Sequence, residues 1–239
     1  MINNKLKVAL ITGGTGGIGE SVCEELAKRN IKVCFTYWKN REKAKKLKKK
    51  ITNIGGKAET FKMNNSSLSS MRRTLNLIFK KNRKIDILIN NSGISQIKDF
   101  SKINQKDWDK MININLRGPF FLSKFFLERV KNYNWCRIIN ISSISGLNGG
   151  KLQIHYAITK AGLISLTKSL HNIYGKNNFT INAVAPGLIK TNMIKREVYK
   201  KKKEKIKLGL IKEPHDVSKK IIQIISEKSK DKSGKIFKI

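Results

Sequence analysis

Cysteine is scarce in this chain. It occurs only at Cys23, Cys34 and Cys136, an odd count with no Cys-x-x-Cys spacing. That excludes a disulfide framework and a cysteine metal site, and it reads as reduced thiols in a cytoplasmic type of compartment. Long apolar runs are missing too, and nothing reaches the roughly 18 residues that a membrane-spanning helix needs. The run Val8 to Ile11 is too short for the core of a signal peptide. His155 and His171 lack partners at metal-binding spacing, so no metal is expected, and both read as surface or pocket-edge residues.

Acidic residues are the second shortage. Sixteen Asp and Glu stand against 51 Lys and Arg, a formal net charge of +35 over 239 residues. A surplus of that size raises nucleic-acid or membrane binding. The excess, however, is lysine spread along the whole chain together with abundant Asn and Ile, as in a genome drifting toward A and T. Blocks such as Lys43 to Lys50 and Lys200 to Lys205 read as solvated helix faces. Neither a nucleic-acid nor a membrane partner is expected, although a basic surface attracts phosphates and acidic carrier proteins.

What is present is a repeating pattern. Apolar runs at Lys7–Thr12, Lys32–Thr36, Ala58–Lys62, Ile85–Asn90, Arg137–Ser142 and Thr180–Val184 alternate with helical stretches at Gly17–Arg29, Arg41–Ile54, Leu68–Lys81, Lys106–Val130 and Ile154–Tyr174. Gly118-Pro119 is expected to kink the fourth of these helices. Pro214 starts a helix carrying Asp216 to Glu227, and Lys235–Ile239 reads as a last strand. Strict alternation with strands apolar on both faces predicts a parallel sheet between two helical layers. The fold class is therefore α/β, a Rossmann-like doubly wound sheet in three layers, with residues 1–239 as one domain. Residues 188–213, poor in strand signal and rich in lysine, are expected to form a lid.

The run Thr12-Gly13-Gly14-Thr15-Gly16-Gly17-Ile18-Gly19 directly follows the first strand and opens the first helix. Glycines there allow a tight turn and let the backbone approach a pyrophosphate at a positive helix N-terminus. A plain strand-to-helix turn would need one or two glycines; this run has five. After the second strand, Thr36-Tyr37-Trp38-Lys39-Asn40-Arg41 offers two cations and no acid before Glu42. A ribose 2′-hydroxyl reader is usually an acid at that place, so Lys39 and Arg41 favour a 2′-phosphate, hence NADP over NAD.

Tyr156 and Lys160 stand four apart, on one helix face, thirteen and seventeen residues beyond Ser143. An ammonium beside a phenol favours the phenolate. A tyrosine exchanging protons near neutrality needs its pKa lowered by roughly three units, about 4 kcal/mol. With a serine hydroxyl aimed at the same point, the set suits carbonyl/alcohol chemistry. Trp38, Trp108 and Trp135 read as packing residues, and Asp107 and Asp109 as charges complementing an early helix turn.

These motifs together resemble the classical short-chain dehydrogenase/reductase family over nearly the whole chain. Thr12 to Gly19 matches its TGxxxGxG, Asn90-Asn91-Ser92-Gly93 its NNAG with Ser for Ala, and Pro186-Gly187 with Thr191 its segment over the nicotinamide. The resemblance implies that Tyr156 is the general acid in reduction and that Lys160 lowers its pKa and binds the nicotinamide ribose. It further implies that Ser143 polarises the carbonyl and that Asn115 holds a water leading to Lys160. Cofactor contacts are implied at Gly13, Thr15, Gly16, Gly17, Ile18, Gly19, Asn64, Asn91, Gly93, Tyr156, Pro186, Gly187, Ile189 and Thr191. Gly16 stands where many NADP-dependent members carry Arg, leaving the phosphate to Lys39 and Arg41. Val184 to Met193, Ile211 to Val217 and Asn134 to Ser143 look most like reductases of 3-oxoacyl thioesters on acyl carrier protein or coenzyme A, with Gln153 facing the acyl group. The implied activity is NADPH-dependent reduction of such a thioester, with NADH the lesser cofactor, in a homo-oligomer. A dehydrogenase of another secondary alcohol or sugar is the alternative. A nucleic-acid-binding or regulatory protein on this fold is the distant one.

Overall fold

The computed structural model describes residues 6–175, 178–191, 211–226 and 233–239. The sheet strands are β1 (Val8–Ile11), β2 (Lys32–Tyr37), β3 (Ala58–Lys62), β4 (Ile87–Asn90), β5 (Cys136–Ile141) and β6 (Phe179–Ala185), and short strands β7 (Leu188–Ile189) and β8 (Ile211–Lys212) precede a last sheet strand, β9 (Ile236–Lys238). The helices are α1 (Gly17–Ala27), α2 (Arg41–Asn53), α3 (Leu68–Asn82), α4 (Gln105–Ile112), α5 (Gly118–Val130), α6 (Ser145–Asn148), α7 (Ile154–Tyr174) and α8 (Pro214–Ser226).

Every residue of β1, β4, β5 and β6 is buried, as apolar runs covered on both faces must be. The seven-stranded sheet has the order β3-β2-β1-β4-β5-β6-β9, and all of its pairings are parallel. The strand order reverses between β1 and β4, and that switch point opens a crevice at the C-terminal strand ends. Two cores sandwich the sheet. On one face Val22 and Leu26 of α1, Leu47 and Ile51 of α2, and Val217 and Ile221 of α8 pack against Ile11, Phe35 and Ile89. On the other, Met71 and Ile78 of α3 and Phe125 and Phe126 of α5 pack against Leu10, Leu88 and Ile138. Helix α2 buries only Ala44, Leu47 and Ile51, so the lysines between them are solvated, as their spacing predicts.

The long fourth helix departs from expectation in form. Instead of a kink at Gly118-Pro119, residues Asn113–Arg117 form a π turn between α4 and α5. Pro119 has no N–H to give the carbonyl four residues back, and the Gly118 N–H reaches five residues back to the Asn113 carbonyl. The wider turn carries Asn115, which is fully buried. The tryptophans also differ from expectation: Trp38 and Trp108 are 47% and 40% exposed, and only Trp135 lies against the core, beneath the cations of Lys7 and Arg137.

Strands β7 and β8 pair in parallel, so the two ends of the expected lid meet. Its residues 192–210 lie outside the described residues, as does the block Lys200 to Lys205. The three cysteines are buried and free. No helix among the described residues is long and apolar enough to cross a membrane.

Candidate active site

The glycine loop is clasped from both sides of the switch point. Gly13 N–H donates to Thr36 Oγ1 at 3.2 Å, and Gly14 N–H to the Thr36 carbonyl at 2.9 Å, which ties the loop to the end of β2. Thr12 Oγ1 accepts from the backbone N–H groups of Asn91 and Ser92, both at 2.9 Å. The Asn91 side-chain amide donates to the carbonyls of Thr12 (2.9 Å) and Gly13 (3.1 Å). Asn91, expected to line the adenosine ribose, thus spends its amide on holding the loop in shape.

Gly13 has φ +64°, a left-handed conformation suited to glycine. Gly16 caps α1 with no side-chain acceptor, so the first-turn N–H groups of Gly17, Ile18 and Gly19 point out of the helix uncapped. An uncapped helix start behind a glycine-lined hollow fits a pyrophosphate. A Cβ on Gly17 would lie 2.7 Å from Thr191 Cγ2, so two of the expected cofactor contacts adjoin here. A Cβ on Gly19 would lie 2.4 Å from the Gly13 carbonyl and 2.7 Å from Asn91 Nδ2. We therefore expect Gly19→Ala to distort the loop and weaken dinucleotide binding at least about tenfold in a fluorescence titration. Retained affinity would mean that the dinucleotide lies elsewhere.

Lys39 and Arg41 stand exposed at the end of β2 and the start of α2. Glu42, the first acid, is turned to Lys45 at 2.9 Å. Asn40 caps α2, its side-chain oxygen accepting from the Lys43 N–H at 2.8 Å. Asn64, at the neighbouring β3 end, accepts with Oδ1 from the backbone N–H (3.0 Å) and hydroxyl (2.7 Å) of Ser66, which fixes the turn into α3.

The other wall of the crevice is built by β5, α7 and the π turn. Ser142 Oγ donates to the Lys160 carbonyl at 2.7 Å, docking α7 on the end of β5. Lys160 is 3% exposed, and its Nζ donates to the Ile141 carbonyl at 2.7 Å. Burial pulls its pKa down to about 8. The ammonium lies 5.6 Å from the centre of the Tyr156 ring. Ser143 is buried, and its Oγ accepts from Ser145 N–H at 3.1 Å. The Tyr156 phenol is pushed up by burial, while a hydrogen bond with Ser143 works the other way. The expected lowering is therefore not produced by this arrangement of protein groups alone: the cost of burying the phenolate outweighs what Ser143 returns.

Asn115 ties the scaffold of the site together. Its Oδ1 accepts from Ile94 N–H at 2.8 Å, and its Nδ2 donates to the Ile94 carbonyl at 2.8 Å, with Thr159 Oγ1 at 3.4 Å. Its amide is thereby engaged in locking the post-β4 loop to the π turn. A Cβ on Gly93 would stand 3.4 Å from Asn115 Oδ1 and 3.6 Å from Lys160 Nζ, so loop, amide and ammonium converge there. Pro186 accepts from Ile144 N–H at 3.0 Å, which brings the segment from Pro186 through Gly187 to Ile189 beside Ser143. Ile189 is buried. Gln153 precedes α7, and its Oε1 accepts from Ser95 Oγ at 3.4 Å.

One histidine departs from its expected place. His155 is 1% exposed, and its Nε2 lies 2.9 Å from Gln96 Oε1. Nothing in the sequence signals this contact, because its partner lies 59 residues away in a loop without periodicity.

Residues 7–202 match the sequence profile of the family described as short chain dehydrogenase. The chain is 37% identical over 237 residues to "3-oxoacyl-[acyl-carrier-protein] reductase FabG" of Aquifex aeolicus (strain VF5), covering 98% of this chain and 95% of that one. It is 32% identical over 189 residues to acetoacetyl-CoA reductase of Cupriavidus necator, covering 79% and 77%. A crystal structure of a variant actinorhodin polyketide ketoreductase with NADPH superposes with a TM-score of 0.92 at 22% identity, over 100% of this chain and 97% of that one.

Proposed function

This chain belongs to the short-chain dehydrogenase/reductase family, and from that premise we propose that it reduces a 3-oxoacyl thioester, carried on coenzyme A or an acyl carrier protein, to the 3-hydroxyacyl thioester at the expense of NADPH. The observation that carries the reading is the buried Lys160 ammonium beside the Tyr156 ring, next to a crevice whose other end is the uncapped start of α1. The residues fit a dinucleotide: the α1 N-terminus would hold the pyrophosphate, and Lys39 and Arg41 a 2′-phosphate. Lys160, Gly93 and the segment Pro186 to Thr191 would border the nicotinamide end. When bound, the reduced nicotinamide supplies the hydride.

The protein supplies the rest. Ser143 donates a hydrogen bond to the 3-keto oxygen and fixes the carbonyl face. Tyr156 donates its phenolic proton to that oxygen as negative charge develops on it. The Lys160 charge then stabilises the phenolate left behind, and that is where its low-dielectric setting matters most. A pKa raised by burial suits this direction of reaction, since it keeps Tyr156 protonated before turnover.

The test is oxidation of NADPH and of NADH with acetoacetyl-CoA and with a 3-oxoacyl thioester on acyl carrier protein, beside sugar and secondary-alcohol dehydrogenation. Thioester turnover with NADPH preferred supports the reading; sugar oxidation alone overturns it. Replacing both Lys39 and Arg41 by Ala should raise the NADPH KM about tenfold and leave the NADH KM nearly unchanged, because exposed charge-assisted contacts to one phosphate are lost. Equal changes for both cofactors would place the 2′-phosphate elsewhere.

A further inference from the structure

A partly buried hydrogen-bonded chain runs from the start of α4 through the loop after β4 to the first turn of α7 and takes no part in the chemistry described above. Asp107 opens α4 as part of its capping box with Asn104. Its carboxylate also accepts from Lys98 Nζ, and from Gln96 Nε2 at 2.8 Å. A lysine-paired carboxylate can only accept, so the nitrogen of the Gln96 amide must face Asp107 and its oxygen must face His155. The Gln96 oxygen can only accept in turn, so His155 carries its proton on Nε2, at 2.9 Å. The bare Nδ1 of His155 is buried and has no hydrogen-bond partner.

This chain fixes more than a histidine. Gln96 lies in the loop after β4, whose Ile94 backbone is bound by Asn115 and whose Ser95 hydroxyl donates to Gln153. Lys98 N–H in the same loop donates to the Leu152 carbonyl at 3.0 Å. Contacts to residues 152, 153 and 155 thus arrive immediately before Tyr156, and the strongest of them geometrically is the one through Gln96. The loop's other contacts to residues 152–155 are one main-chain bond, from Lys98 to Leu152, and the long hydroxyl contact from Ser95 to Gln153.

We infer that Gln96, held between Asp107 and His155, is a positioning residue that sets the substrate-side wall of the crevice against the first turn of α7. The inference rests on the proposed thioester reduction for the ligand it names. Its effect falls on the acyl substrate and spares the dinucleotide, whose loop is clasped independently by Thr12, Thr36 and Asn91.

The test combines kinetics with a spectroscopic signature. Gln96→Ala should raise the thioester KM about tenfold, with kcat and the NADPH KM within about twofold of wild type. His155→Phe, which removes the donor, should behave alike. His155→Gln, which restores an N–H at the same reach, should return the KM to near wild type. Proton–nitrogen correlation spectra of the imidazole at neutral pH should show His155 protonated on Nε2 alone, and a tautomer mixture in Gln96→Ala. An unchanged thioester KM in Gln96→Ala, or a parallel loss in kcat and NADPH binding, overturns the inference. If the wild-type protein reduces no thioester, the functional reading fails by itself. The imidazole spectrum then still decides the relay, and a wild-type histidine protonated on Nδ1 or mixed between tautomers overturns it.

Discussion

Tyr156→Phe is expected to lower kcat about a thousandfold while leaving the NADPH dissociation constant within about twofold of wild type. The substitution deletes one hydroxyl and keeps the ring against the Lys160 ammonium, so α7 should pack unchanged. The lost proton donor is the whole of the expected effect, and a positioned general acid contributes typically about 10²- to 10⁴-fold. The glycine loop is held by hydrogen bonds of Thr12, Thr36 and Asn91, which do not depend on the phenol. Stopped-flow reduction with thioester and fluorescence titration with NADPH separate the two quantities. Wild-type turnover in the variant would remove Tyr156 from the mechanism. An equal loss of NADPH affinity would instead show that the ring is part of the cofactor site.

The fold was legible where burial is local and periodic. Strands β1, β4, β5 and β6 are short runs buried along their entire length, and such runs identify themselves by composition. Helix α7 falls on the expected bounds, and Tyr156 and Lys160 share its crevice face as their spacing requires. The glycine loop was equally plain, since a tight turn and a helix start leave a compositional mark. The missing pieces depend on distant partners. Pro119 marked where the fourth helix would break its pattern, yet a π turn and a kink have the same local sequence. That the Asn91 amide holds the carbonyls of Thr12 and Gly13 is invisible in the sequence, because those partners lie far away along the chain. His155 reads as a surface or pocket-edge residue because its cover comes from a loop far away in sequence. For the Tyr156 phenol, the charge four residues away is visible in sequence, whereas the depth of burial, which raises its pKa against the Ser143 hydrogen bond, is a property of the packed crevice.

Lys160→Met should abolish turnover and yet leave the protein at least as stable as wild type at neutral pH. The lysine is 3% exposed, and its pKa falls from the ordinary 10.5 to about 8 through burial. At 1.36 kcal/mol per pH unit, holding that ammonium in the fold costs about 3 kcal/mol wherever both folded and unfolded chains are protonated, that is, below about pH 8. Between about pH 8 and 10.5 the folded lysine has released its proton and the unfolded one has not, so the cost shrinks as pH rises. Above 10.5 both forms are neutral, and the cost is gone. Methionine fills nearly the same volume without charge. It forfeits the bond to the Ile141 carbonyl, about 1–3 kcal/mol, which offsets most of the gain and sets the net change at neutral pH at about 0–2 kcal/mol in favour of the variant. Urea midpoints at pH 7 and pH 10 for both proteins isolate this group, because every other lysine titrates alike in the two. Relative to the variant, wild type should recover most of about 3 kcal/mol across that interval. The kcat/KM of wild type should fall as pH rises through about 8, since the free enzyme then loses the charge that stabilises the Tyr156 phenolate. Parallel stability curves, or a variant clearly weaker at pH 7, would mean that Lys160 is a structural anchor. A charge kept buried at this cost would then lose its best explanation, which is that the fold carries an unfavourable ammonium because the proton transfer from Tyr156 needs it there.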